Sequence, residues 1–282
     1  MTTNSGKAGQ PLRARQHLPR WRRPPRVRRL NLIGRDDLSA RMRRGASGLR
    51  SSGKEGKMTH GSTLRDLIGA ALKDGWASTT MLRWSEGQIE RQVLMLGYSL
   101  APSRERQFKV EVLKPTERAD AHPNSLSARY GTGQQPLHTD GAHRDEPPEI
   151  VLLSAQEPST VPTLLWRFPT RIPQANIHDL REGLFTVRSG TRSFLAHAVE
   201  GYGERLRVRY DPGCMSPADG RARRALTFIE AASTMATRLE WDTPNTVLAI
   251  SNRQVLHARG DATGEPDRRI ERVALRVSRA TP

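Results

Sequence analysis

Apolar positions recur at helical spacing in two places ahead of the central chain. Behind a Ser62-Thr63 start, Leu64, Leu67, Ile68, Ala71 and Leu72 share one face, and Gly75 follows as a stop, which predicts a first helix. Residues 85–96 predict a second, with Ile89, Val93 and Leu96 on one side. The period then changes to two: Phe108, Val110 and Val112 alternate with Lys109 and Glu111, a half-buried strand whose apolar side carries the two valines. Residues 115–136, rich in Pro, Asn and Ser, read as loop with room for one short strand.

Strand signals dominate from there on. Residues 150–153, 163–166, 184–187 and 247–250 are short apolar runs, 205–210 alternate, and Val273, Leu275 and Val277 alternate near the end. Two stretches interrupt them with helical spacing. One is 173–182, with a proline at its first turn; the other is 218–241, where Ala225, Phe228, Ile229, Ala232, Met235 and Leu239 form a core-facing stripe. Many short strands with Gly and Pro punctuation and few helices predict a mainly β fold with flanking helices, a sandwich or jelly roll. No internal repeat and no phosphate-cradling glycine loop is visible.

Charge divides the chain in two. Of 282 residues, 46 are Lys or Arg and 29 Asp or Glu, a formal net charge of +17. Residues 1–57 hold 16 of the basic groups and three acids (Asp36, Asp37, Glu55), so most of the excess sits there, and 58–282 are nearly balanced. The first segment is expected to be a disordered basic tail and the second a single domain. The tail reads as a polybasic arm for nucleic acid or anionic lipid, as a solvated tail, or as upstream sequence translated from a start set ahead of Met58. One cysteine, Cys214, excludes an intramolecular disulfide framework and a thiolate zinc cluster. No apolar run approaches the roughly 20 residues of a membrane span, and no apolar stretch follows Arg22-Arg23 as a signal peptide would need. A soluble, cytoplasmic protein without membrane contact is expected.

The candidate chemistry lies in two segments. In extended backbone, residues i and i+2 share a face, so His138 and Asp140 can offer an imidazole nitrogen and a carboxylate oxygen to one ion. His257, 119 residues later on a second strand-like segment, would complete a set of two nitrogens and one oxygen. Such a set leaves coordination positions open, as in non-heme iron(II) oxygenases. The arginine-rich segment Asp267-Arg268-Arg269-Ile270-Glu271-Arg272 follows, and guanidinium supplies the planar fork that a buried dicarboxylate needs.

Taken together, residues 137–144, Pro147-Pro148 before an apolar strand, Asn252-Arg253 through His257-Ala258-Arg259, and the closing 267–272 resemble the taurine dioxygenase/clavaminate synthase-like superfamily of iron(II)- and 2-oxoglutarate-dependent oxygenases. The resemblance runs from about Leu64 to the C-terminus. It implies a double-stranded β-helix, Fe(II) held by His138, Asp140 and His257 as catalytic metal ligands, and 2-oxoglutarate as cosubstrate. It places Arg268 and Thr163 on the far carboxylate of 2-oxoglutarate and Arg272 near cosubstrate or substrate, with Arg269 as the neighbour that takes over if the register shifts by one. It implies further that O2 and 2-oxoglutarate are consumed, succinate and CO2 released, and a substrate C–H bond oxidised. Asp140 is retained where halogenating relatives carry a small residue. Two departures stand at expected turns: Ser159-Thr160-Val161-Pro162 and Thr243-Pro244-Asn245 replace the family's glycine-containing pairs, changing loop geometry more than chemistry.

The leading expectation is therefore an enzyme that hydroxylates, or otherwise oxidises, a small molecule such as an amino acid or specialised metabolite. The alternatives are a related oxygenase acting on nucleic acid and a non-catalytic nucleic-acid-binding protein using the tail. His143 is read as a site-wall or surface residue, and Arg259 either as meeting an anionic substrate group or as one half of an ion pair. Oligomeric state and substrate identity lie beyond the sequence.

Overall fold

Ile150, Leu152, Val247, Ala249, Val273 and Leu275 pack against one side of a sheet, and Val151, Leu153, Ala155, Leu248 and Ile250 against the other. Continuous apolar runs follow from this, because a strand covered on both faces has no polar side to show. The computed structural model describes residues 63–81, 86–102, 110–123, 125–169 and 172–277; the basic segment 1–57 lies outside them.

The first helix, α1 (Leu64–Asp74), starts where Thr63 and Asp66 cap each other: Asp66 N–H donates to Thr63 Oγ1 and Thr63 N–H to the Asp66 carboxylate. Gly75 closes it at φ +96°. With α2 (Glu86–Met95) it covers the outer face of a six-stranded sheet ordered β1 (Trp76–Thr80), β12 (Thr246–Ser251), β4 (Ile150–Ala155), β14 (Ile270–Val277) and β2 (Tyr98–Leu100), with β3 (Glu111–Leu113) also paired to β14. All pairings in it are antiparallel. The inner face packs on a three-stranded sheet ordered β11 (Thr237–Trp241), β5 (Ser159–Arg167), β13 (Val255–Arg259), through Leu165, Trp241 and Val255. A third sheet orders β10 (Met215–Pro217), β6 (Phe185–Ser189) and β7 (Arg192–Ala196), and β8 (Val199–Glu200) pairs with β9 (Arg207–Val208). Three further α-helices, α3 (Ser127–Tyr130), α4 (Gln174–Glu182) and α5 (Gly220–Ala232), and two 3-10 turns, Gly203–Arg205 and Ser233–Met235, complete the described elements. The protein is thus mostly β with few helices.

Several expectations change. The stripe over 218–241 is not one helix: α5 buries Ala225, Phe228, Ile229 and Ala232, then Thr237–Trp241 is the edge strand β11. Leu239 and Trp241 are two apart, and the sheet edge of β5 wins over helical continuation because it buries Trp241 completely. In β3 the expected alternation holds only in part: Val110, just ahead of the strand, packs partly buried against the core, but Val112 is 55% exposed while Glu111 turns inward to pair with Arg272, and Phe108 and Lys109 lie outside the described residues. Charge pairing at the site outweighs the small apolar gain of burying a valine at a sheet edge. Residues 115–136 contain the one-turn α3 rather than a strand among the described residues, and 205–210 condense to a 3-10 turn followed by the two-residue β9. Ser159 to Pro162 form no turn but the start of β5, whereas Asn245 does turn the chain, at φ +58°. No described helix is long and apolar enough to cross a membrane.

Candidate functional site

The segment Gln135–Asp140 runs along the free edge of β13. His138 N–H donates to His257 C=O (2.9 Å) and His257 N–H to His138 C=O (3.0 Å), so the two imidazoles enter the site from directly bridged backbone positions. Their ring centroids are 4.6 Å apart. Asp140 lies just past the bridge, and its Oδ1 is 3.6 Å from His138 Nε2 and 3.7 Å from His257 Nε2. One ligand atom from each of the three lies within 4.8 Å of the others, a spacing that fits a single metal ion. The turn beyond Asp140 needs Gly141: φ is +68°, and a Cβ there would come within 2.9 Å of Pro148 Cδ.

The donor chemistry fits as well. His138 Nδ1 lies 3.1 Å from Pro136 C=O, which fixes the proton on Nδ1 and leaves the Nε2 lone pair facing the site. Burial opposes charge on Asp140, but the Arg272 guanidinium and the two imidazoles outweigh it and hold the carboxyl well below the usual carboxylate range. Burial also disfavours the charged form of His138, yet the neighbouring Asp140 raises its pKa overall. For His257 burial prevails, helped by the charge of His138, and its pKa falls. Both nitrogens of the site are thereby set against a permanent anion. His257 Nδ1 is buried with no hydrogen-bond partner.

Arg272, on β14, joins this group from below. Its Nη1 donates to both Asp140 oxygens (3.3 and 3.2 Å), and its Nη2 pairs with Glu111. Glu111 carried no signal in the sequence: only the pairing of β3 with β14 brings it here.

Arg268 is buried at 8% exposure, donating from Nε to Ser159 Oγ (3.0 Å) and from Nη2 to Val161 C=O (3.3 Å). Ser159 is therefore more than a loop departure, since its hydroxyl orients the arginine. Burial pushes the Arg268 pKa down to about 10, still charged at neutral pH. Arg269, in contrast, is exposed. Thr163, on the same strand as the two Arg268 partners, accepts a hydrogen bond from Trp241 Nε1 (3.1 Å). All three triad residues, Thr163, Arg268 and Arg272 line one cavity of about 850 Å³, within the range usual for ligand sites.

Arg259 lines the cavity and spends its Nη2 on the carbonyls of Gly131 (2.7 Å) and Gly133 (2.8 Å) rather than on a carboxylate, bolting the loop after α3 to β13. His143 is half-buried on the cavity wall, where burial lowers its pKa, and it is not one of the close triad. Arg209 binds the carbonyls of Ala142, Arg144 and Asp145, bracing the turn after Asp140. Cys214 lines the cavity with its thiol pKa pushed up by burial, the opposite of an activated nucleophile.

No protein-family model matches the chain, and no curated protein does. Solved structures do. Asparagine oxygenase in complex with Fe(II), 2S,3S-3-hydroxyasparagine and succinate is 14% identical at a TM-score of 0.60, covering 76% of this chain and 79% of that one. The non-heme iron oxygenase OrfP in complex with Fe and alpha-ketoglutaric acid is 18% identical at 0.57, with 77% and 80% covered. OrfP with Fe, succinate and (3R,4R)-dihydroxy-L-Arg is 17% identical at 0.59 over the same shares. The chain shares its fold with these non-heme iron oxygenases.

Proposed function

We propose that this protein is an Fe(II)- and 2-oxoglutarate-dependent oxygenase that hydroxylates a C–H bond of a small molecule, with an α-amino acid as the favoured substrate class. On this reading residues 58–282 form the oxygenase domain, a double-stranded β-helix, and His138, Asp140 and His257 hold the iron. The observation that carries the reading is the convergence of His138 Nε2, His257 Nε2 and Asp140 Oδ1 on one point in a cavity that also contains the buried Arg268. The fold shared with asparagine oxygenase and OrfP supports it.

The iron, when bound, supplies the oxygen activation that couples decarboxylation of 2-oxoglutarate to oxidation of the substrate. The protein's own residues do the rest. Pro136 C=O keeps the His138 proton on Nδ1, and Arg272 keeps Asp140 ionised. Arg268 receives the distal carboxylate of 2-oxoglutarate with the donors not engaged by Ser159 and Val161. Thr163, whose oxygen already accepts from Trp241, has its hydroxyl proton left to donate to the same carboxylate. Glu111 closes on Arg272 at the cavity wall and holds that guanidinium beside Asp140, and an α-amino acid is the substrate class favoured for the rest of the cavity. Asparagine oxygenase and OrfP, whose complexes hold hydroxylated asparagine and arginine, agree with that class.

The test is a panel of amino acids offered to the full chain with Fe(II), 2-oxoglutarate and O2, reading succinate and a product heavier by one oxygen. His138→Ala and Asp140→Ala should each abolish both. Undiminished turnover in either variant would sink the assignment.

A further inference from the structure

The three residues of the triad are held in two different ways. His138 and His257 are locked by the two backbone hydrogen bonds of their bridge. Asp140 lies beyond that bridge on a turn, and no strand pairing reaches it. A side chain holds it instead. Asn252 Oδ1 accepts from Asp140 N–H (3.0 Å), while Asn252 Nδ2 donates to Asp140 C=O (3.0 Å) and to Pro148 C=O (2.8 Å).

Asn252 is 1% exposed and follows β12 directly, with its own N–H donating to Glu149 C=O (2.9 Å). The amide is therefore anchored to the central sheet, and its orientation is dictated by its partners, since Asp140 N–H can only donate and the two carbonyls can only accept. A primary amide presents one acceptor and two donors. Here all of them meet the loop, so the side chain reproduces a rung of an antiparallel ladder where no strand is available.

We infer that Asn252 is the positioning residue that presets the Asp140 carboxylate for the metal, an inference that rests on the iron-oxygenase reading above. Asn252 itself touches none of the reacting atoms. It fixes the backbone of Asp140 on both sides of its Cα, and thereby the 3.6 and 3.7 Å separations from the two imidazoles. Side chains that orient a metal ligand typically govern metal affinity by about 10- to 100-fold.

The experiment measures Co(II) affinity of the metal-free full chain from the cobalt ligand-field spectrum, without 2-oxoglutarate or substrate, alongside thermal unfolding of the same metal-free samples. Three variants are compared. Asn252→Ala removes the clamp, Asn252→Asp keeps its shape but not its two donors, and Thr246→Val removes a partly buried hydroxyl hydrogen bond at the far end of β12, away from the metal triad (Thr246 Oγ1 to Thr243 C=O, 2.6 Å).

Asn252→Ala and Asn252→Asp should weaken Co(II) by about 10- to 100-fold, and Thr246→Val should lower the unfolding temperature with Co(II) affinity unchanged. Wild-type affinity in either folded Asn252 variant overturns the inference and leaves the oxygenase reading standing. So does failure of both variants to fold, which assigns Asn252 to the fold alone. If the wild-type chain binds no Co(II), the oxygenase reading fails and the inference falls with it.

Discussion

Replacing Arg268 by lysine tests how the site recognises its cosubstrate. The guanidinium is buried, and two of its five N–H donors are used by Ser159 Oγ and Val161 C=O. Those contacts hold the planar head in place and leave the other donors for a carboxylate. Lysine keeps the charge but is a flexible point charge without the fork. At least one charge-assisted hydrogen bond to 2-oxoglutarate is lost, worth about 1.5–3 kcal/mol. At about 1.4 kcal/mol per tenfold, the KM for 2-oxoglutarate should rise on the order of 10- to 100-fold. The lost bond is made equally in the ground and transition states, so kcat at saturating 2-oxoglutarate should stay within a few-fold. The assay is a 2-oxoglutarate titration of succinate release, run on Arg268→Lys beside Arg269→Ala. Arg269 is exposed and its loss should change nothing. An unchanged KM in Arg268→Lys, or an equal rise in Arg269→Ala, would refute the assignment.

Other outcomes follow from the same contacts. Metal binding requires the unprotonated His138 imidazole, whose pKa Asp140 raises above the ordinary 6.5. Metal affinity should accordingly fall as pH drops through a window that opens above 6.5, and titrating Co(II) at several pH values reads it. Arg272→Met removes the charge that depresses Asp140, so the stability this carboxylate contributes should be diminished. In the wild type that contribution is present above the ordinary carboxylate value and lost as pH falls through the depressed folded value; acid unfolding of the two metal-free proteins compares them. Gly141→Ala forces a Cβ to 2.9 Å from Pro148 Cδ at a positive φ, and should cost about 1–3 kcal/mol of stability together with metal affinity. Leu152→Ala, at a fully buried position facing α1 and α2, should destabilise by about 2–5 kcal/mol in urea unfolding while folded enzyme keeps its Co(II) affinity.

Much of the site was legible because its chemistry follows local rules. His138 and Asp140 are two apart, His257 opens no competing pattern, and Arg268 of the arginine cluster follows 11 residues after His257. What the residues do to one another was less legible. Arg259 holds the carbonyls of Gly131 and Gly133, more than a hundred residues back in the chain, and nothing in the local pattern around it points there. Glu111 was placed on the solvent side of its strand because a two-residue period cannot anticipate a buried cation from β14.

The helix-or-strand choice over 237–241 fails for a related reason. Leu239 continues the helical stripe of α5 as well as the alternation of β11, and the free edge of β5 decides between them. By itself, the sequence determined the helices α1 and α2, the runs of the central strands, and the residue types of the metal triad, all set by periodicity and by the fixed donor chemistry of His and Asp. Tertiary structure alone decided what surrounds that triad: the Asn252 clamp on Asp140, the Glu111–Arg272–Asp140 chain of charges, and the Ser159 hydroxyl under Arg268. Each is a contact between residues roughly 100 to 160 positions apart, made by a few polar atoms, and such contacts leave no period in the chain for a reader to find.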